Sequence, residues 1–587
     1  MLDPLRKLTK PAIMCLVDEN LYEIAVELFA DVLANYSRFL HKDDFSLFYS
    51  LFSSEWAHER YERLVRGDYD FDSIQFGLFM LAFGDATVQD LTQKAGADIQ
   101  CQQLLSGLCG LLGAEGFAVN EDKIFVPALE FWNTYVEALI DFTYSADGGH
   151  PSWFSAAKEY VMQAIQKCLY KIQFPPQDIF NTWDSVDRTG FKDARRDVGD
   201  LLQQFHIIMG IPILNVFIDS TRQAILNGNW IGLEASMYCL AQYPDCIKDD
   251  EERDEYLHQI FDPSLFSLFT SSQIEVPVRT SQTFLTLLRG YSDYFERHTA
   301  NLPAVLNISF AGTGSPALAK TASSTIVDLC SNCRNILVPE LDAFLEQFGS
   351  MALSSLDGSI KERIMEGIAS IIQAIEDDKS KIDPLDRLLS FIEADSEQCL
   401  RLLSLASSVL AQDVGNAPEV SNNYNMACDI GLTALRCLGS VGKGLLVPTD
   451  KPVDLEKTTT KSPFWTTGEG SIVQQRIIIM MNRIYDALRD RGDIVEAAYH
   501  VFRWGFRELE PGPFVFSADT VAQFLLKADS QTPRLGMVIG TACSLLSSHN
   551  TGHRIDGVAD VLLNWIAQLL HNLGGKSEAS LRPCRLP

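Results

Sequence analysis

The chain has 587 residues, a length that suits about three or four ordinary domains unless it grows by repeats. Hydrophobic residues make up 47% and charged residues 21%, both near globular averages, so most of the chain is expected to fold. Asp plus Glu number 77 against 48 Lys plus Arg, a net charge of −29 that argues against a general phosphate or nucleic-acid binder and suits basic partners.

The opening stretch "MLDPLRKLTKPAIMCLVDENLYEIAVELF" is broken by Pro4, Pro11, Asp18 and Glu19. No apolar run reaches the roughly 18 residues a membrane span needs, so neither a signal peptide nor a membrane segment is predicted. Residues 20–40 place Leu21, Ile24, Ala25, Leu28, Phe29, Val32 and Leu33 at the i, i+3, i+4, i+7 spacing of an amphipathic helix. Residues 43–65 predict a second. The signal recurs over 70–93, 98–113, 123–145, 152–173, 190–208, 211–227, 229–243 and 277–298. It continues over 316–332, 334–348, 359–376, 383–412, 420–442, 470–491, 493–508, 517–528, 534–548 and 556–573.

The breaks are short and carry Gly149 with Pro151, Pro175-Pro176, Gly210 with Pro212, and Gly228. Alternating β-branched runs are nearly absent. The expected fold is all-α, and a helix pair every ~40–47 residues is the HEAT/armadillo period. The expectation is therefore a HEAT/armadillo-like superhelical solenoid, with repeats over 1–446 and again over 472–573. Residues 447–471, with three prolines and several Thr and Lys, read as a long loop or insertion, and 574–587 as a frayed tail. A set of separate helical bundles needs several linkers, and only 447–471 qualifies as one.

Thirteen cysteines are spread along the chain, mostly inside apolar helical patterns, which fits buried thiols in a reducing compartment rather than a disulfide framework. Cys330 and Cys333 form a C-x-x-C. A zinc site needs further ligands at suitable spacing, and a redox dithiol usually opens a helix after a strand. Here the pair follows Ile326 and Leu329 and precedes Ile336 and Leu337 at helical spacing, so both thiols are expected in a repeat core.

"AGTGSPALA" (311–319) has no strand before it and reads as a loop entering a helix. "GSVGKGLL" (439–446) lacks the phosphate-loop spacing and reads as a helix end. No catalytic constellation is found, so no enzyme, metal or cofactor is expected. Asp193, Arg195, Arg196, Asp197 and Asp200 are expected to form ion pairs on a helix surface. The run Asp249, Asp250, Glu251, Glu252, Asp254 and Glu255 reads either as a solvated helix start or as a patch for basic cargo.

Several phrases then fall in one order: "LEFWNTYVEAL" (129–139), "FKDARRDVGDLL" (191–202), "NWIGLEASMYCLA" (229–241), "VPVRTSQTFLTLLRGYSDYF" (276–295), "ASSTIVDLCSNCRNIL" (322–337) and "RCLGSVGKGLLVP" (436–448). This succession resembles the importin-β superfamily of karyopherins, most closely the importin-13/transportin-3 branch in its fungal form. The resemblance covers about 120–450. Ala194 departs from it where the branch often has an aromatic residue.

The resemblance implies a nuclear transport receptor that shuttles between nucleus and cytoplasm. Its implied partners are basic protein cargo, Phe-Gly nucleoporins and the GTPase Ran, with no direct nucleic-acid or membrane contact. The family's N-terminal Ran-binding repeats have no counterpart found here, so the chain is expected to begin partway along the solenoid. The competing class is a non-transport HEAT-repeat scaffold or adaptor subunit.

Overall fold

Several helices begin where a short polar side chain accepts free backbone N–H groups. Asp98 Oδ1 takes the amides of Gln100 and Cys101 at 2.8 and 3.2 Å. Asp184 takes that of Asp187 at 2.8 Å, Asn229 that of Gly232 at 3.0 Å, and Ser517 that of Thr520 at 3.2 Å. Gly210 ends Ser185–Met209 and Gly228 follows the end of Leu214–Leu226, at φ of 69° and 62°, in the left-handed region where a side chain is strained.

The computed structural model describes residues 5–145, 151–271, 273–352, 356–411, 417–448, 464–508, 510–548 and 556–573. Every regular element among them is helical, with a lone bridge between Ala118 and Asp122. The chain divides into two compact units, Met1–Gly290 and Tyr291–Pro587.

In the first unit one row of helices stacks in chain order. Tyr22–Tyr36 packs on Phe71–Ala86, that on Phe125–Ser145, and that on Ser185–Met209. Trp230–Leu240 follows. Its Tyr238 hydroxyl donates to Arg195 O at 2.9 Å, and the Tyr243 hydroxyl just beyond it donates to Leu202 O at 3.1 Å. Val278–Gly290 packs on its other side. Lys42–Phe52, Ile99–Leu111 and Ser152–Lys171 form a second row.

In the second unit the corresponding row is Ala319–Asn332, Gly358–Gln373, Ala417–Gly444, Gly492–Gly505 and Leu535–Ser548. Leu341–Ala352, Ile382–Ala411 and Ser471–Leu488 stack beside it. Helix pairs laid against their neighbours in two rows are the repeat architecture that the spacing predicts.

Some predicted helices are split. Residues 43–65 hold two, Lys42–Phe52 and Glu55–Val65, because Ser54 caps the second through Ala57 N. Residues 334–348 break at a 3-10 turn, Val338–Glu340, which contains Pro339. Thr9–Cys15, Gln177–Thr182 and Pro263–Thr270 are too short to show a period, whereas Arg253–Ile260 is the helix that the acidic run, read as a solvated helix start, leads into. Leu302–Thr313 was hidden by Pro303 and Gly312 in an almost wholly apolar segment.

Of the expected loop 447–471, residues 449–463 lie outside the described residues, as does the expected tail 574–587. Phe464–Gly470 forms turns that bury Trp465. A Cβ on Gly470 would stand 2.5 Å from the Trp465 ring.

Candidate protein-interaction surface

The Ser185–Met209 helix buries Phe191, Ala194, Val198, Leu201, Leu202 and Phe205. Arg195 shares that buried face, which corrects the expectation of a surface ion pair. Its guanidinium meets Glu234 at 2.9 and 3.2 Å and donates to Ile172 O. It lies 4.2 Å from the Phe174 and Tyr238 ring centroids. Glu234 in turn accepts from Thr283 Oγ1 at 2.7 Å.

Three consecutive helices of the row are thus joined through two buried charges, and every strong acceptor is used. Arg279 extends the layer, 3.6 Å above the Phe174 ring, where burial lowers its pKa. Arg195, Glu234 and Thr283 come from three of the sequence phrases, so those phrases carry the packing between repeats.

A second buried pair anchors the loop before Phe125–Ser145. Lys171 Nζ lies 2.5 Å from Asp122 and donates to Ala114 O and to Gly116 O, the latter at 2.7 Å. Asp122 caps the helix through Ile124 N and Phe125 N at 2.8 and 3.1 Å. Burial pushes the carboxyl up and the ammonium down, against their mutual attraction.

The solvent side of the Ser185–Met209 helix is acidic. Asp197 and Asp200 are exposed and Asp193 half-buried; Arg196 pairs with Asp193 at 3.1 Å, as expected of a surface pair. Partial burial, then Asp200 and Asp193, hold Asp197 above the usual carboxylate range.

The acidic run continues near the end of this helix. Asp249, Asp250, Glu251 and Glu252 form a turn, and only Asp254 and Glu255 lie within the helix Arg253–Ile260. Asp249, Glu251, Glu252 and Glu255 are exposed, whereas Asp250 and Asp254 are half-buried and Arg253 in their midst is buried. The run is therefore not one continuous carboxylate face. Asp250 Oδ2 stands 3.5 Å from His206 Nε2, which brings the turn against the last turn of Ser185–Met209.

Cys330 and Cys333 are both buried. A Cβ on Gly367 would touch Cys330 Sγ at 3.3 Å, and Cys333 Sγ lies 3.7 Å from Ser292 O. Burial pushes the Cys330 thiol far up and the Cys333 thiol to about 12, so neither is a thiolate near neutral pH. Gly444 closes the helix Ala417–Gly444 against its neighbour, where a Cβ would stand 2.3 Å from Glu366 O; Lys443 pairs with Glu366 at 2.6 Å.

No family model matches the chain. It is 24% identical over 537 residues to the importin beta-like protein kap111 of Schizosaccharomyces pombe, covering 88% of this chain and 51% of that protein. To human importin-13 it is 22% identical over 227 residues, 38% of this chain and 22% of the relative. The chain therefore spans about half, or less, of the length of the curated relatives it matches.

Among solved structures, importin-13 in its cytosolic state superposes with a TM-score of 0.75 at 16% identity, over 98% of this chain and 64% of that one. A crystal structure of importin beta gives 0.54 at 14% identity, over 95% and 64%. Both share the fold. By sequence and by fold the chain is similar to karyopherins of the importin-β superfamily, most of all to its importin-13 branch.

Proposed function

We propose that this chain forms the protein-binding repeats of a nuclear transport receptor that shuttles between cytoplasm and nucleus. The observation that carries the reading is its similarity to an importin beta-like protein along 88% of its length. The relatives are named as transport receptors and not as enzymes. Basic protein cargo is the ligand class, with Asp197, Asp200, Asp249, Glu251, Glu252 and Glu255 as the first acidic surface it meets. Such a surface raises encounter rates with cationic partners and loses that advantage in salt. Weak contacts to Phe-Gly nucleoporins complete the role, and Ran is the regulator of the receptor type; no residue here is assigned to it.

Immobilised Phe-Gly nucleoporin fragments test the reading. Retention of the folded chain is expected, and no retention with an intact helical circular dichroism signal sinks it. For the acidic surface, Asp249→Lys with Glu251→Lys and Glu252→Lys should slow association of a Lys/Arg-rich cargo peptide on the order of tenfold at low salt. The difference should shrink as salt is raised. An unchanged rate removes the turn from the site.

A further inference from the structure

Many arginines of this acidic chain pair with a carboxylate, among them Arg60, Arg387, Arg401, Arg476 and Arg491. Arg503 and Arg507 instead share one indole. Their guanidinium carbons lie 5.4 and 5.2 Å from the Trp504 ring centroid. Among the described residues neither arginine is in an ion pair.

The helix Gly492–Gly505 presents them. Val495, Ala498, Val501, Phe502 and Gly505 are buried on one side. His500, Arg503 and Trp504, with Arg507 in the turn that follows, fall at i, i+3, i+4 and i+7 on the other. The first two and Arg507 are exposed, and Trp504 is half-buried. The helix end is fixed: a Cβ on Gly505 would overlap Phe514 O, and Arg507 N donates to Trp504 O at 3.0 Å.

The acids near by are engaged elsewhere. Asp493 pairs with Arg491 at 2.7 Å, Glu496 pairs with Arg534, and Glu508 accepts from Val447 N at 2.9 Å. Glu510 is exposed, and its charge acts on Glu508. Partial desolvation, then the Arg503 charge, holds the His500 imidazole below its usual range, so the two arginines supply the positive charge at neutral pH. The negative end of the helix dipole accounts for a cation here. It does not account for two that repel at i, i+4, nor for the indole they share. Arg and Trp are the side chains that most often dominate binding energy in protein interfaces.

We propose that His500, Arg503, Trp504 and Arg507 form a docking surface for an Asp/Glu-rich segment of a partner protein. Its carboxylates bridge the two guanidiniums, and an apolar side chain covers the indole. Charge complementarity selects this occupant, because both guanidiniums lack a carboxylate on a chain of net charge −29. A nucleic acid is disfavoured by that same net charge, since phosphate backbones are held by many clustered cations. The surface has the opposite polarity to the acidic turn offered to basic cargo, and the inference is independent of the transport reading.

The test titrates the whole chain into a fluorescent peptide in which Asp and Glu flank a single Leu, and reads anisotropy. Saturable binding is expected, and the Asn/Gln counterpart of the peptide should bind at least about tenfold more weakly. Arg503→Gln with Arg507→Gln should weaken binding of the acidic peptide at least about tenfold without lowering the thermal midpoint. Arg503→Lys with Arg507→Lys keeps the charge but loses the planar fork, and should bind with intermediate strength. Arg401→Gln, exposed and paired with Glu397 on another helix, should bind like the parent chain. No binding by the parent chain, or equal binding by the double glutamine variant, overturns the proposal. So does tighter binding of a single-stranded oligonucleotide that the same variant loses, which makes a nucleic acid the occupant. A homodimer seen by light scattering and dissolved by that variant also overturns it, because a second copy is then the occupant.

Discussion

Arg195 shows why a residue's role depends on its partners. In sequence it sits among Asp193, Arg196, Asp197 and Asp200 and looks like one of a set of surface charges. Each residue turns about 100° around the helix, so Arg195 falls on the buried side while Arg196, Asp197 and Asp200 fall on the solvent side. Removing Arg195 strands the Glu234 carboxylate in the core. Arg195→Met should cost about 3–5 kcal/mol, and adding Glu234→Met should recover most of that loss, because paired buried charges contribute little net stability. Thermal unfolding of the two variants checks this; equal midpoints for single and double variants would refute the coupling. Cys330 and Cys333 show the opposite case, since helical spacing alone placed both thiols in the core. Iodoacetamide at pH 8 should label exposed Cys543 while leaving this pair unmodified in the native chain, read by peptide mass mapping.

At the scale of elements, close approach and partial burial govern how neighbouring helices meet. Gly444→Ala puts a methyl against a fixed backbone carbonyl and should cost about 1–3 kcal/mol, with loss of the Lys443–Glu366 contact seen as a lowered midpoint. Asp85, on Phe71–Ala86, has its carboxyl pushed up to about 6, chiefly because burial partly desolvates it. Glu130 on the next helix adds to the rise and a Thr134 hydrogen bond offsets part of it.

Its folded pKa lies above the unfolded value of about 3.9, so the folded state binds the extra proton between the two. Stability from this group therefore falls as pH rises from about 4 through about 6. Asp85→Asn should raise the midpoint at pH 7.5, and the gain should fade as pH approaches 4. A gain that grows on acidification would contradict the assignment. Most long elements were legible from period alone, and some of their ends from breaks such as Gly210 with Pro212 and Gly228. The short helices were not, because two turns hold too few residues to establish a phase.

At the scale of the whole molecule, the repeat stack is a set of local contacts in which each helix answers to its row neighbours. That is why phrases far apart in sequence and individually weak carry the family resemblance together: Arg195, Glu234 and Thr283 meet across three helices. The same arrangement explains why residues 20–40 were only half readable. Their apolar positions were assigned to one face, whereas Ala25, Phe29 and Leu33 pack inward and Ile24 and Leu28 point away. A helix between two neighbours needs two apolar flanks, and a single broad stripe in sequence does not say which flank is filled.

The sequence by itself determined the all-helical class, the repeat period, the acidic character and the family resemblance, because these follow from periodicity, composition and the order of packed phrases. Tertiary structure alone decided that Arg195 is buried and Asp197 is not. It also decided that the run 249–255 is divided by a buried arginine, and that one apolar flank of Tyr22–Tyr36 is open. These depend on which neighbour covers which side of a helix, and a helical period fixes the angle between side chains but not what lies opposite them.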